Sequence, residues 1–389
     1  MKSPLAILFF TVLLDLVGFG IILPVLPLYA KSLGASELEI GAIAASFSLM
    51  TLLWSPLLGR WSDRIGRRPV LIAGILINAI GYAVFAHAST LALLIVSRML
   101  NGIGASNISV AQAYIADTTT DSDRARSLGL IGAAFGLGFI IGPVLGGFLK
   151  AHGGIVAVGY VPAALSLLNA LIAFARLREP VRHHADHGQR RSLLQSLHAA
   201  VGHPVRGRLV LFSFAYWFAF VMMQITFVLF ANERFGWRED AIGGLFAFIG
   251  IIGAAIQGGA IGPLVRRFGE KTLLALGSSA FAVGMLLLPL APSAAVLVVI
   301  IGVMAVGSAL VNPTMNALLS RSADAASQGS VLGLSQSAAS LARITGPIIG
   351  MSLYGLRHEA PYVAAGIIGI ACLVGLVLPL PVAGSVQSN

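Results

Sequence analysis

One cysteine, Cys372, occurs in 389 residues, so no disulfide can form within the chain, and cysteine usage gives no redox compartment. Charge is equally scarce. Asp, Glu, Lys and Arg make up 10% of the residues, against about 25% in a soluble domain, which excludes an ordinary water-soluble fold. Acids are the rarest charged group, 15 against 25 Lys and Arg. No His, Cys, Asp or Glu set has metal-ligand spacing, and no nucleophile–base pair stands out. The polar segments are too short for a catalytic domain. Neither a metal, a cofactor nor an enzyme activity is therefore expected.

What the chain has in quantity is hydrophobic length. Apolar residues make up 57% of it, and runs of roughly 20 residues, each able to cross a bilayer core of about 30 Å, recur throughout. Twelve spans are predicted: 5–28, 40–58, 70–88, 91–115, 128–149, 155–175, 208–230, 241–261, 272–291, 294–319, 329–353 and 361–382. Backbone groups in lipid must be satisfied within each segment, so these are helices. The first run follows Lys2 as a signal peptide would, but it is too long, is interrupted by Asp15 and lacks a small-residue cleavage motif. It is read as an uncleaved span.

The net charge of +10 invites a nucleic-acid reading, which its distribution removes. With the N-terminus inside, eighteen of the 25 basic residues lie in cytoplasmic segments, five lie on the opposite side, and Arg98 and Arg343 lie within spans. This is the positive-inside pattern. It places both termini in the cytoplasm of an inner-membrane, multi-pass protein. The expected partners are the bilayer, a small-molecule substrate and protons, for a monomer without nucleic acid.

One long polar stretch, "RLREPVRHHADHGQRRSLLQSLHAAVGHPVRG", divides the chain into an N-terminal six-helix bundle (1–175), a cytoplasmic linker (176–207) and a C-terminal six-helix bundle (208–389). The linker histidines show no ligand spacing, so they read as solvated. The two halves repeat: "GRWSDRIGRR" at Gly59 matches "GPLVRRFGEK" at Gly262, and "GPVLG" at Gly142 matches "GPIIG" at Gly346. Parallel repeats of six helices enclosing a ligand site are a transporter architecture. The fold class expected is therefore all-α and membrane-embedded, twelve helices in two pseudo-symmetric bundles.

"LDLVGFGIILPVLP" in span 1, "GRWSDRIGRRPVL" between spans 2 and 3, "RMLNGIGAS" in span 4 and "GLGFIIGPVLGG" in span 5 together resemble the major facilitator superfamily, specifically its twelve-helix drug:proton antiporters. "NERFGW", "GEKT" and "GPIIG" in the second half resemble the tetracycline-exporter branch. The resemblance implies alternating access by rocking bundles, with spans 1, 4, 7 and 10 around a central cavity.

Candidate residues follow. Asp15 is the one acid inside a span, about 15 Å from the cytoplasmic edge, and Arg98 lies about 12 Å from the other edge. Charges at this depth are expensive and functional by default. They are expected to pair and to couple protons; a pair that only braces spans 1 and 4 is the alternative. Arg98, Asn101, Ala105, Ser109 and Gln112 share one helix face, expected to line the cavity. By the resemblance, Phe19 is placed there as well, with Tyr216, Phe220, Met223, Gln224 and Phe227 of span 7 and Ser308, Asn312 and Met315 of span 10, although an aromatic and methionine stripe is more often a packing surface. Between spans 2 and 3, turns are expected at Gly59 and Gly66, with Asp63 among Arg64, Arg67 and Arg68. By the resemblance, Asp63 also faces the start of span 11 near Gln328–Ser330, a conformational latch. In span 5, Gly132 and Gly136, then Gly138, Gly142 and Gly146, make a groove for close packing, with Pro143 and Gly147; Ala254, Gly258 and Gly262 repeat the interval in span 8. Arg343 reads either as a second functional charge or as a side chain reaching the interface.

Two departures matter. Spans 3 and 9 hold no carboxylate and span 8 no histidine, residues that tetracycline exporters have. The reading is therefore export of a small lipophilic compound in exchange for protons. The alternatives are a metabolite facilitator or symporter whose solute binds Arg98, and a scaffold or receptor that moves nothing.

Overall fold

The computed structural model describes residues 3–119, 121–180, 204–323 and 328–377. Most of the linker, with its histidines, lies outside the described residues. Spans 1 to 4 are Ser3–Ile22, Glu37–Ile65, Arg67–Ala86 and the pair Leu91–Ala105 with Asn107–Thr118. Spans 5 and 6 share the run Asp121–Arg176, which breaks at Gly154 where φ is 65°. Span 7 is Pro204–Phe235. Span 8 is Glu239–Ala255 and Ile261–Phe268, joined through a π-turn at Ile256–Ala260. Spans 9 to 12 are Glu270–Leu287, Ala294–Arg321, Gln328–Leu356 and Ala360–Val377. A short helix, Leu26–Ser32, joins spans 1 and 2.

Local chemistry sets the ends. Ser36 and Glu39 form a reciprocal capping box at the start of span 2, and Thr90 and Ser293 cap spans 4 and 10. The break between spans 2 and 3 sits at Gly66 alone, at φ 117°, while Gly59 lies within the helix Glu37–Ile65. The turn expected at Gly59 is therefore absent: nothing at that position forces φ positive, and the helix continues to Ile65. Gly269, at φ 76°, makes the matching break between spans 8 and 9.

Within each half the same pairs pack: 1 with 5, 3 with 4 and 6; then 7 with 11, 9 with 10 and 12. The halves meet through spans 2 with 11 and 5 with 8, the exchange that a two-fold repeat requires.

Among the described residues these inter-half contacts lie toward one end, the end opposite the linker, and reach to mid-depth. A Cβ built at Gly41 would lie 2.6 Å from the Pro347 carbonyl oxygen, and one at Gly147 would lie 2.5 Å from that of Glu239. Gly243 meets Pro143 in the same way at 2.3 Å, and Gly250 meets Ile140 at 2.6 Å. Lys31 pairs with Glu233 across the halves. Tyr354 donates to the same carboxylate at 2.6 Å, and His358 stacks on Tyr354 with ring centres 4.6 Å apart. Toward the linker end the contacts stop. Gly132 and Gly136 of span 5, Gly253 and Gly258 of span 8, Gly59 of span 2 and Gly333 of span 11 have nothing within 4 Å of an added Cβ. The molecule is closed at the far end, and a cleft between the halves opens at the linker end.

The glycine expectations are corrected accordingly. Gly138, Gly142 and Gly146 pack on span 1 at Leu16, Gly20 and Ile21; the Pro143 ring also touches Gly20, while its carbonyl and Gly147 face span 8. Gly132 and Gly136 belong to neither contact. The Ala254, Gly258 and Gly262 stripe is exposed, because the π-turn and the splay of the linker end remove its partner.

Candidate functional site

Asp15 is 5% exposed and Arg98 3%. They do not form the expected direct pair. The Asp15 carboxylate accepts instead from Asn78 Nδ2 at 3.0 Å, and Asn78 Oδ1 accepts from Asn101 Nδ2 at 2.8 Å. Asn101 Oδ1 in turn accepts from an Arg98 nitrogen at 3.5 Å. A carboxylate only accepts and a guanidinium only donates, so the two amides can be oriented in one sense alone. Charge runs to charge through two amides, and both ions are compensated without touching.

Spans 3 and 4 position this chain by interlocking. They run antiparallel, and each asparagine fills a glycine socket opposite. A Cβ at Gly74 would strike Asn107 at 2.1 Å, one at Gly104 would meet Asn78 at 2.7 Å, and one at Gly81 would meet Asn101 at 2.6 Å. Small residues at this spacing let polar side chains bridge helices in lipid. Arg98 lies over the Phe47 ring at 4.6 Å and near Phe19 at 6.0 Å, contacts that gain strength where water is excluded. Tyr82 is buried with its hydroxyl against Gly18, one turn from Asp15. The second carboxylate oxygen of Asp15 has no partner among the described residues.

The second half has the same sockets and none of this chemistry. Gly277, Gly284 and Gly307 stand 203 residues after Gly74, Gly81 and Gly104, and Gly307 lies against the Gly277 carbonyl as Gly104 lies against that of Gly74. At the positions matching Asn78, Asn101 and Asn107 the second half has Phe281, Met304 and Leu310. Gly142 meets the Val17 carbonyl where Gly346 meets that of Phe218, and Gly146 meets Ile21 where Gly350 meets Met222. By that offset of 201 the counterpart of Asp15 is Tyr216, whose hydroxyl bonds Ser308 at 2.5 Å and whose ring lies 5.3 Å from Phe281.

The remaining candidates divide. Asn101, Tyr216, Met223, Phe227 and Met315 are all 9% exposed or less, packed within their own bundle, so they present little surface to a solute in this conformation. Phe19, Phe220, Gln224, Ser308 and Asn312 are half-buried. Along span 4 the predicted face divides: Asn101 bonds Asn78 of span 3, Arg98 lies against Phe19 and Phe47 of spans 1 and 2, and Ala105 is half-buried. Ser109 reaches the Ser55 carbonyl of span 2 at 3.4 Å, and Gln112 is exposed. The physical cause is the demand of the buried Asp15 for polar partners, which draws Arg98 and Asn101 inward.

At the linker end, Asp63 pairs with Arg67 at 2.6 Å and Arg67 with Asp117 at 2.8 Å. Glu179, absent from the sequence expectations, receives the backbone N–H groups of Arg67 and Arg68 at 2.5 and 3.0 Å. Arg68 donates to the Phe174 carbonyl at 2.6 Å. All of these bonds stay within the first half. Among the described residues Asp63 is paired with Arg67 and not with span 11; Arg64 has its own partners. The side chains of Ser330 and its neighbour at 329 lie outside the described residues.

Comparison with known proteins gives the lineage of this arrangement. The sequence model described as Major Facilitator Superfamily matches residues 8–261 and 252–389. The chain is 35% identical over 383 residues to a tetracycline resistance protein, class C, of Escherichia coli, covering 95% of this chain and 94% of the relative. It is 30% identical over 378 residues to multidrug resistance protein 2 of Bacillus subtilis (strain 168), covering 96% and 94%. Among solved structures it resembles the human organic anion transporter MFSD10 (TETRAN) at 26% identity and TM-score 0.70, covering 96% and 99%.

Proposed function

Because the chain belongs to the Major Facilitator Superfamily, a family of membrane transporters and not of enzymes, we propose that it exports a small lipophilic, drug-like compound in exchange for protons. The observation that carries this reading is the buried chain from Asp15 through Asn78 and Asn101 to Arg98, together with relatives named for drug resistance.

The linker end, bearing most of the Lys and Arg, is the cytoplasmic one. The cleft then opens to the cytoplasm, and the protein acts as a monomer in the plasma membrane with both termini inside. The bundles 1–175 and 208–389 rock about the far-end contacts. A proton reaching Asp15 neutralises its carboxylate and weakens the bond from Asn78. The change passes through Asn101 and leaves Arg98 less firmly held. A proton entering down a membrane potential supplies about 2.3 kcal/mol per 100 mV, enough to reset the carrier against a solute gradient. When the linker end closes, Gly59, Asp63, Arg64 and Gly66 come to span 11 as the latch, while Arg67 and Arg68 hold the loop to spans 4 and 6. The half-buried Phe19, Phe220, Gln224, Ser308 and Asn312 face the solute, an apolar wall with a few polar groups.

The test is accumulation of a panel of tetracycline and lipophilic dyes in intact cells expressing the chain. Accumulation of at least one compound should be lowered in energised cells and restored by an uncoupler. Raised accumulation, or lowering that ignores the uncoupler, would overturn the proposal.

A further inference from the structure

Arg343 is used by none of the steps above. It lies at mid-depth, near the centre of the 29-residue helix Gln328–Leu356, where a charge is costly and marks a substrate or ion path. Its guanidinium lies 4.6 Å from the centre of the Trp217 ring. No acid pairs with it among the described residues, and it makes no hydrogen bond there. Arg98, the other cation at this depth, is compensated through two amides by Asp15. Arg343 has no such counter-charge.

Its position says where one would come from. Pro347, one turn along on the same face, is the residue that seals against Gly41 of span 2. Arg343 thus stands on the face between the two halves, just on the linker side of the seal. Gln336 and Ser340 continue that face toward the open end at spacings of four and three, one exposed and the other half-buried. Such a polar stripe suits a water-filled cleft and not lipid. Trp217 packs edge-to-face with Phe220 at 5.6 Å, so an apolar corner of two ring surfaces adjoins the cation. A guanidinium fork beside an aromatic wall is a receptor for a planar anion, with paired donors for a carboxylate and a face for a ring.

From this we infer that the transported compound is an aromatic anion, a carboxylate or the like, whose charged group docks on Arg343 while its ring lies against Trp217 and Phe220. This rests on the transporter reading and names its substrate class. The solute supplies the missing counter-charge in the cleft, leaving Asp15 to the proton.

The experiment uses the full chain in lipid nanodiscs, with empty nanodiscs as blank, and two probes of one shape: 2-naphthoate, ionised at neutral pH, and neutral 2-naphthamide. The wild type should bind naphthoate at least about tenfold more tightly, the factor expected for one charged hydrogen-bonded contact. Arg343→Gln should remove the preference and Arg343→Lys retain part of it; Arg343→Met serves as a second neutral variant should Arg343→Gln fold poorly. Equal affinities in the wild type, no naphthoate binding, or a preference surviving in a neutral variant would each overturn the inference. No pH gradient enters this measurement, so it can fail while proton-driven export holds. Conversely, Asp15→Asn should leave the preference intact even where it abolishes coupling.

Discussion

Asn78 donates with one side-chain atom and accepts with the other, and with Asn101 it links Asp15 to Arg98 by hydrogen bonds. Replacing it with leucine keeps most of the volume and removes both bonds, leaving a buried carboxylate with no donor from span 3. A bond to a charged group contributes about 1.5–3 kcal/mol. Asn78→Leu should therefore cut gradient-driven transport in proteoliposomes by about tenfold or more, with the protein still inserted; unchanged transport would break the relay. Asp15 was legible in the sequence because an acid in an apolar run has few structural explanations. Asn78 was not, because its partners lie 63 and 23 residues away and only the antiparallel register of spans 3 and 4 brings them together. The glycines at 74, 81 and 104 were the available signal, each a socket for an asparagine opposite.

Span 5 shows the same limit at the scale of an element. Its glycine interval announces close packing, but the period does not say which face meets which helix, or where packing ends. A Cβ added at Gly142 would lie 2.7 Å from the Gly20 Cα, so Gly142→Leu must push spans 1 and 5 apart, at about 1–3 kcal/mol. A lowered melting temperature in detergent is expected. Gly136 has open space beside it. Gly136→Leu should fold with a near wild-type melting temperature and still transport poorly, because closing the linker end requires spans 5 and 8 to approach there. Wild-type transport by Gly136→Leu would mean that closure leaves this part of span 5 apart from span 8. Span 2 adds a related lesson: the glycine at 59 reads as a turn in the motif, yet a helix tolerates it, and only Gly66 needs a positive φ.

Across the whole molecule, the repeat was visible in two short matches, and the twelve spans were visible in hydropathy alone. The conformation was not, since the contacts at the far end join residues hundreds of positions apart. Lys31, Glu233, Tyr354 and His358 draw three segments of chain together there. Removing the charge of Glu233 should loosen this seal. In a Cys372→Ser background, spin labels at Ser32→Cys and Arg238→Cys should report a longer far-end distance population in Glu233→Gln than in the wild type. An unchanged distribution would assign the closure to the glycine contacts alone. The halves share sockets and differ at the matching positions, asparagine in one, phenylalanine, methionine and leucine in the other. In the function proposed above, that asymmetry goes with proton handling by Asp15 in the first half.

The central claim, that Asp15 couples protons to solute movement, separates from transport as such in a single comparison. With the compound returned by the cell assay, proteoliposomes holding wild type or Asp15→Asn are tested for pH-gradient-driven accumulation and for exchange of labelled against unlabelled compound without a gradient. Asp15→Asn should keep the exchange and lose the gradient-driven accumulation. Accumulation that persists in Asp15→Asn would contradict that claim.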